Sequence, residues 1–158
     1  LGGEQYIGWE NYEKLTERTS TVFGGCCSGE NVMILMETGQ ENAETLMAFL
    51  TEISHPALGV NFDPANMILY GKGDPVLGLK IMVTWVKHVN IIDALRSPIS
   101  GEWGSEVPWG EGDFDNNEFL KTLKRIGYQG PLAIEREAGS TRMKDIENTA
   151  AALLQFSD

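Results

Sequence analysis

The sequence contains few of the residues on which redox, disulfide or membrane chemistry depends. Its 158 residues include two histidines and two cysteines, and the cysteines, Cys26 and Cys27, are adjacent. Neighbouring cysteines seldom bridge a fold, and no second cluster exists to complete a zinc site, so we interpret both as reduced thiols in a loop. No apolar run reaches the roughly 18 residues of a membrane-spanning helix, and the N-terminal residues lack the layout of a secretory signal. We therefore expect a cytoplasmic location and no membrane partner.

Basic residues are also scarce. Twelve lysines and arginines stand against 23 aspartates and glutamates, which gives a net charge of -11 and a pI near 4.6. A negative surface field opposes approach to phosphate backbones, so we expect no nucleic-acid partner. The length and the 42% hydrophobic content are those of a globular domain with one core, and we predict that residues 1–158 form a single domain.

Apolar runs alternate with helix-start signals along the chain. The second predicted helix follows Thr38 and Glu41, which have the spacing of a capping box. Alternating strands and helices are typical of parallel βα units and of the α/β class. The patterns predict strands over residues 32–37, 59–63, 86–92 and 132–135, and helices over 9–23, 43–53, 75–83, 115–126 and 143–153.

The spacing of the polar residues at the strand ends indicates a barrel. Asp63 follows Glu37 by 26 residues and precedes Asn90 by 27, close to the roughly 31 residues per unit of an eight-unit βα barrel. The interval to Glu135 is longer because residues 95–114 are predicted to form a loop, and long loops are often functional. A closed barrel needs roughly 200 residues or more, so this chain holds about half of one. We expect the C-terminal portion of a longer protein, or pairing with a second copy in a homo-oligomer.

Each predicted strand ends in a group that can bind a cation: Glu37, Asp63, Asn90 and Glu135. Catalytic groups of parallel barrels lie where strands end and βα loops begin. A single acid after a strand is more often a helix cap, but three buried acids converging on one mouth imply a cation. Oxygen donors suit Mg²⁺ or Mn²⁺ better than zinc.

Two further polar residues fall on the same strand faces. Period-two alternation places Asn61 with Asp63 and His88 with Asn90. His88 lies about 6.6 Å below Asn90 along the strand, so it cannot take over a ligand position at the mouth. A histidine at this depth is more often a hydrogen-bonded core residue than a ligand.

Five segments together resemble a known family: ILMETGQE, GVNFDPANMILYGKGDP, VKHVNIIDA, EVPWGEGDFD and GPLAIEREAG. They are similar to the sugar phosphate isomerase/epimerase group of the xylose isomerase-like TIM barrels, related to D-tagatose 3-epimerase and hydroxypyruvate isomerase. The resemblance covers about residues 31–157 and implies the C-terminal half of a TIM (β/α)8 barrel.

The resemblance implies roles for the strand-end residues. Glu37 and Glu135 would be metal ligands and also the acid/base pair, and Asp63 would be a third ligand. The fourth ligand of the family is usually the second histidine of a His-x-His-x-Lys-Asp segment, where this chain has Asn90, with Ile92 in place of the lysine. An amide oxygen is a weaker donor than imidazole toward transition metals, but Mg²⁺ and Mn²⁺ accept it.

By the same resemblance the chain is a metal-dependent isomerase or epimerase of a small sugar or sugar phosphate. It would transfer a proton next to a carbonyl through an enediolate, with Mn²⁺ or Mg²⁺ preferred and Co²⁺ or Zn²⁺ as alternatives. The predicted substrate contacts are Asn66, His88, Trp103 and Arg136. Arg136 has an alternative interpretation as the partner of Glu137 in a loop ion pair, and Trp103 as part of a packed surface loop.

Two other functions fit the same fold. The substitutions at Asn90 and Ile92 favour a catalytically weakened sugar-binding domain that keeps the scaffold. A DNA repair enzyme like endonuclease IV would need more histidines for its zinc cluster and a positive face, which the composition disfavours.

Overall fold

The computed structural model describes residues 32–156. The helix predicted over residues 9–23 and the two cysteines lie outside this range. In chain order the elements are β1 (Ile34–Glu37), α1 (Ala43–Ile53), β2 (Leu58–Phe62), α2 (Pro64–Leu69), α3 (Pro75–Ile81), β3 (Val86–Ile91), β4 (Asp93–Leu95), β5 (Ser105–Val107), α4 (Asn116–Arg125), β6 (Leu132–Ile134) and α5 (Arg142–Phe156).

The four predicted strands form one parallel sheet in the order β1-β2-β3-β6. All four strand ends therefore reach the same edge of the sheet, which confirms the predicted α/β class. Within the described residues, β1 and β6 are the edge strands, as expected for part of a barrel. None of the described helices has the length and hydropathy to span a membrane.

The core lies on one face of the sheet, against the helices. Val60 and Phe62 of β2 have no exposed surface, and Phe62 stacks on Phe119 of α4 with the ring centroids 5.8 Å apart. Successive strand residues point to opposite faces, so Asn61 and Asp63 project from the other face. The core thus fixes which side chains face the interior of the barrel.

Helix capping places one strand-end acid directly. Asp63 is the N-cap of α2, and its Oδ1 accepts a hydrogen bond from the Asn66 backbone N–H at 2.8 Å. Helix α2 has only six residues and was not predicted, because so short a segment shows no helical periodicity. The predicted capping box before α1 is wrong, since the N-cap of that helix is Asn42, whose side chain accepts from the Thr45 backbone N–H.

The predicted loop over residues 95–114 is also wrong in part, because it contains a strand. Strand β5 pairs antiparallel with β4, in register from Asp93 opposite Val107 to Leu95 opposite Ser105. These two strands contain Asp93 and Glu106 and lack the apolar run by which the equally short β6 was predicted. This β4–β5 hairpin carries residues 96–104 between its strands and leads into the segment that precedes α4.

Candidate metal centre at the strand ends

Three carboxylates meet at the carboxyl edge of the sheet. Glu37 comes from the end of β1, Asp63 directly follows β2, and Glu135 directly follows β6. One oxygen atom from each lies within 4.8 Å of the other two. Asp63 is buried, Glu135 half-buried and Glu37 exposed. The three acids that the sequence places at strand ends are therefore brought together within reach of a single cation.

Asn90 occupies the centre of this group. Its Nδ2 donates to Glu135 Oε2 at 2.6 Å, to Glu37 Oε1 at 3.2 Å and to Asp63 Oδ2 at 3.3 Å. A partial positive charge thus lies where three carboxylates converge, which is where a cation would be most strongly attracted. A half-turn of the amide about the Cβ–Cγ bond would present Oδ1 instead, and only that oxygen could bind a metal ion.

Burial and repulsion by neighbouring carboxylates raise the pKa of Asp63 and of Glu135. Burial raises the pKa of Asp63 to about 7, with hydrogen bonds from Asn66 and Asn90 opposing the rise and the charges of Glu37 and Glu135 adding to it. Burial is also the main cause that raises the pKa of Glu135, followed by the charges of neighbouring acids, Glu37 first. Crowded acids of this kind are stabilised by a divalent cation, so the donor set fits one.

Thr38 fixes the distance between the first two strand ends. Its hydroxyl donates to the Asp63 carbonyl oxygen at 2.8 Å and accepts from the Asp63 backbone N–H at 2.7 Å. Thr38 is 3% exposed, so water does not compete for these bonds. The residue after Glu37 is thereby attached to the backbone of Asp63. No sequence pattern indicates this role, because the two positions are 25 residues apart.

Asn61 connects His88 to the carboxylates. Asn61 Nδ2 donates to Glu37 Oε1 at 2.9 Å, and Asn61 Oδ1 lies 2.7 Å from His88 Nδ1. His88 therefore contacts the group through Asn61, in agreement with its predicted depth below the mouth. Asn61 was not among the predicted site residues. Its polar side chain lies in an otherwise apolar strand, on the same strand face as Asp63, and this position could have identified it.

The remaining predicted substrate contacts have other partners. Trp103 is 68% exposed and packs edge-on against Tyr70 with the ring centroids 5.1 Å apart. Asn66 reaches the group through its backbone N–H, which donates to Asp63 Oδ1. No observation tests whether these two side chains contact a substrate, so that role stays a prediction.

Arg136 is held in a buried ion-pair network. Its guanidinium binds Glu106 of β5 through Nη1 and Asp145 of α5 through Nε, the latter at 3.0 Å. The side chains in both pairs are only 8–10% exposed. The alternative ion pair with Glu137 is wrong, because Glu106 and Asp145 are closer partners and Glu137 contributes its backbone N–H to Glu106. A substrate role for Arg136 stays a prediction.

Comparison with known proteins places this geometry in a family. The sequence profile described as xylose isomerase-like TIM barrel matches residues 3–156. A ketose 3-epimerase from Arthrobacter globiformis is 26% identical over 112 residues, which cover 71% of this chain and 34% of the epimerase. The chain therefore spans about a third of the length of that curated relative.

Two solved structures show the same fold. A xylose isomerase domain protein from Planctomyces limnophilus superposes with a TM-score of 0.81 at 35% identity, covering 99% of this chain and 55% of that one. A xylose isomerase-like TIM barrel protein from Mycobacterium smegmatis, solved in complex with magnesium, gives a TM-score of 0.72 at 16% identity, with coverage of 98% and 52%. The chain spans about half the length of both.

Proposed function

Because the chain belongs to the xylose isomerase-like TIM barrel family, we propose that it is the C-terminal part of a metal-dependent sugar isomerase or epimerase. The observation that carries the proposal is the convergence of Glu37, Asp63 and Glu135 within 4.8 Å of one another. The similarity to a ketose 3-epimerase supports a small sugar or sugar phosphate as substrate. On this proposal, residues 1–158 form part of one barrel domain.

The three carboxylates would hold a divalent ion, with Asn90 Oδ1 as a fourth donor after rotation of its amide. When bound, the ion supplies positive charge that polarises the carbonyl of the substrate. An all-oxygen donor set favours Mn²⁺ or Mg²⁺ over Co²⁺ or Zn²⁺. The magnesium complex of the Mycobacterium smegmatis protein agrees with this preference.

Glu37 and Glu135 would share the proton transfer. They approach the centre from the two edges of the sheet, β1 and β6, so they can reach a bound sugar from two directions. One carboxylate would remove the proton from the carbon next to the carbonyl, and the other would return a proton to the enediolate. The raised pKa of Glu135 makes it a stronger base at neutral pH than an ordinary glutamate.

A direct test follows proton exchange in the full-length protein. A panel of ketoses is incubated in D₂O with Mn²⁺, and NMR records deuterium at the carbon next to the carbonyl. We expect incorporation that requires Mn²⁺, stops on addition of EDTA, and falls by roughly 100-fold or more in Glu135→Gln and in Glu37→Gln. Glu44→Gln, which removes an exposed carboxylate on α1, is the matched control and should exchange at the wild-type rate.

The second candidate is a sugar-binding domain with weakened catalysis, which the amide at Asn90 favours. Asn90→His separates the two functions through metal affinity and exchange rate. A large gain in both would identify a damaged centre, whereas loss of exchange would identify a centre adapted to the amide. A wild-type protein that binds Mn²⁺ and ketoses but exchanges no proton would support the binding domain and contradict the enzyme.

A further inference from the structure

A row of three polar side chains crosses the sheet one layer below the mouth. Glu37 of β1 is in register with Asn61 of β2, and Asn61 is in register with His88 of β3. Asp63 lies two residues beyond Asn61, so Glu37 begins a full side-chain layer below Asp63. The carboxylate of Glu37 therefore reaches the centre only if its long side chain stays extended.

An irregularity in the sheet creates this row. Val60 pairs with Val86, but the next residue, Asn61, pairs with His88, so β3 contains one residue more than β2 at this point. In an unbroken register Asn61 would lie opposite Lys87, whose side chain is exposed. A bulge of this kind redirects the following side chain to the other face of a sheet. Here the redirected side chain is His88, whose imidazole is brought beside the amide of Asn61.

The hydrogen bonds along the row have a fixed direction. An amide oxygen can only accept, so the 2.7 Å contact between His88 Nδ1 and Asn61 Oδ1 requires the proton of His88 on Nδ1. That contact leaves the amide N–H₂ of Asn61 facing Glu37 Oε1, to which Nδ2 donates at 2.9 Å. A reversed amide would place its oxygen against the carboxylate, so the acceptor Glu37 sets the direction of the amide, and His88 binds the oxygen at its other end.

We propose that Asn61 and His88 are positioning residues for Glu37: the contact with His88 holds the side chain of Asn61 in place, and the Asn61 amide holds the Glu37 carboxylate in the metal centre. The inference rests on the proposed function, because it assigns Glu37 to a centre that binds a cation. Fixing a long, exposed side chain before the ion arrives removes an entropic cost from binding. The row is thus a device for preorganising a ligand that starts one layer below Asp63.

The orientation is tested by NMR on the full-length protein without metal. Long-range ¹H–¹⁵N spectra should show neutral His88 with its proton on Nδ1. Asn61→Leu, which keeps the volume but removes the amide, should abolish that preference. Glu37→Gln should shift the side-chain N–H₂ resonances of Asn61, because their acceptor loses its charge. A wild-type His88 protonated on Nε2, or Asn61 resonances that ignore Glu37→Gln, would overturn the proposal.

The consequence for the centre is tested by Mn²⁺ titration followed by EPR. We expect Asn61→Leu and His88→Leu each to weaken Mn²⁺ binding about tenfold, and the double variant to be no weaker than Asn61→Leu, since both act through one contact. His88→Asn, whose amide can donate near the position of Nδ1, should restore most of the affinity. Lys80→Gln, which changes an exposed side chain on α3, is the matched control.

Two outcomes contradict the inference, and a third concerns the proposed function. Wild-type Mn²⁺ affinity in a folded His88→Leu variant would show that the row does not position Glu37, as would fully additive losses in the double variant. Circular dichroism and thermal melting establish which variants are folded. If the wild-type protein itself binds no Mn²⁺, the proposed function fails, and the NMR experiments still decide whether the row holds Glu37.

Discussion

Asp63 and Asp93 are two buried aspartates near the ends of adjacent strands, and they differ in what surrounds them. Asp63 is 3% exposed and Asp93 is 0% exposed, and burial raises the pKa of both. The four hydrogen bonds to the carboxylate of Asp93 come from the backbone N–H groups of Ala94, Gly110 and Gly112 and from Asn116 Nδ2. These donors provide the Asp93 carboxylate with hydrogen bonds from within the protein. They also attach the segment before α4 to the start of β4.

Asp63 has fewer donors and more acids around it. Its Oδ1 caps α2, while its Oδ2 faces Asn90, and the charges of Glu37 and Glu135 raise its pKa further. A buried carboxylate that accepts several hydrogen bonds stabilises the fold. A buried carboxylate beside other carboxylates is destabilised by their charge, and a bound cation would relieve that repulsion. The comparison therefore indicates a structural role for Asp93 and supports the proposed ligand role of Asp63.

The largest expected effect comes from Asp63→Asn. We expect Mn²⁺ affinity of the full-length protein to fall by roughly 100-fold, which corresponds to about 2.7 kcal/mol. The metal-free protein should become more stable at pH 8, because a neutral amide avoids burying a charge beside two carboxylates while its oxygen still caps α2. Calorimetric titration and urea unfolding measure the two quantities. Asp74→Asn, which alters the equivalent cap of α3, should leave Mn²⁺ affinity unchanged.

The pH dependence should follow from the same residue. The pKa of Asp63 rises from an ordinary 3.8 to about 7 on folding, so the folded state binds the proton more tightly than the unfolded state. The metal-free protein should therefore lose up to a few kcal/mol of stability as pH rises from about 4 to about 7, with no further loss from this group above that. Mn²⁺ affinity should fall below pH 7, because the ion must displace the proton.

Urea unfolding in EDTA at pH 5 and pH 8 checks this prediction. In Asp63→Asn the difference in stability between the two pH values should shrink, and the part that remains should include the contribution of Asp93, whose pKa is raised in the same direction. An unchanged pH dependence in the variant would contradict the assignment to Asp63.

Asp93→Asn should have the opposite effect on stability. Either orientation of the new amide leaves at least one backbone or side-chain N–H facing another donor, so we expect a loss of about 2 kcal/mol. Gly112→Ala should act in the same way, since a Cβ there would lie 1.7 Å from Asp93 Oδ1, whereas Gly39→Ala meets nothing closer than 4.0 Å. Mn²⁺ affinity should be unchanged in Asp93→Asn, and a loss of affinity with unchanged stability would remove the distinction between the two aspartates.

The smallest expected effect is at Thr38. Thr38→Val keeps the shape but removes both hydrogen bonds to the Asp63 backbone, so we expect a loss of about 1–2 kcal/mol and a modest loss of Mn²⁺ affinity. Thr38→Ser keeps the hydroxyl and should retain most of both. Equal behaviour of the two variants in urea unfolding and Mn²⁺ titration would show that the hydroxyl does not hold the strand ends together.

The sequence was informative where the signal is periodic. Long apolar runs identified the four strands, and the parallel arrangement then required Glu37, Asp63, Asn90 and Glu135 to share one edge, as the structure has them. Helix α2 was missed because six residues give no helical period, and strands β4 and β5 were missed because they contain Asp93 and Glu106 and lack the apolar run of the equally short β6.

The supporting contacts of the centre could not be predicted for a different reason. The bond between Thr38 and Asp63 depends on the distance between two strand ends, and the contact between Asn61 and His88 depends on a register shift of one residue. Neither quantity is encoded in a local pattern, because each arises from how separate segments pack. Composition and periodicity therefore locate the candidate ligands, while packing determines how firmly their side chains are held.

Glu106 connects the β4–β5 hairpin to the residues that follow Glu135. One carboxylate of β5 binds the Arg136 guanidinium and the backbone N–H groups of Glu137 and Ala138, which are the three residues directly after Glu135. Any displacement of the hairpin must therefore either break these bonds or pull on the chain at Glu135. A ligand that displaces the hairpin would therefore also shift Glu135, to which we assign proton transfer, with no intervening domain motion.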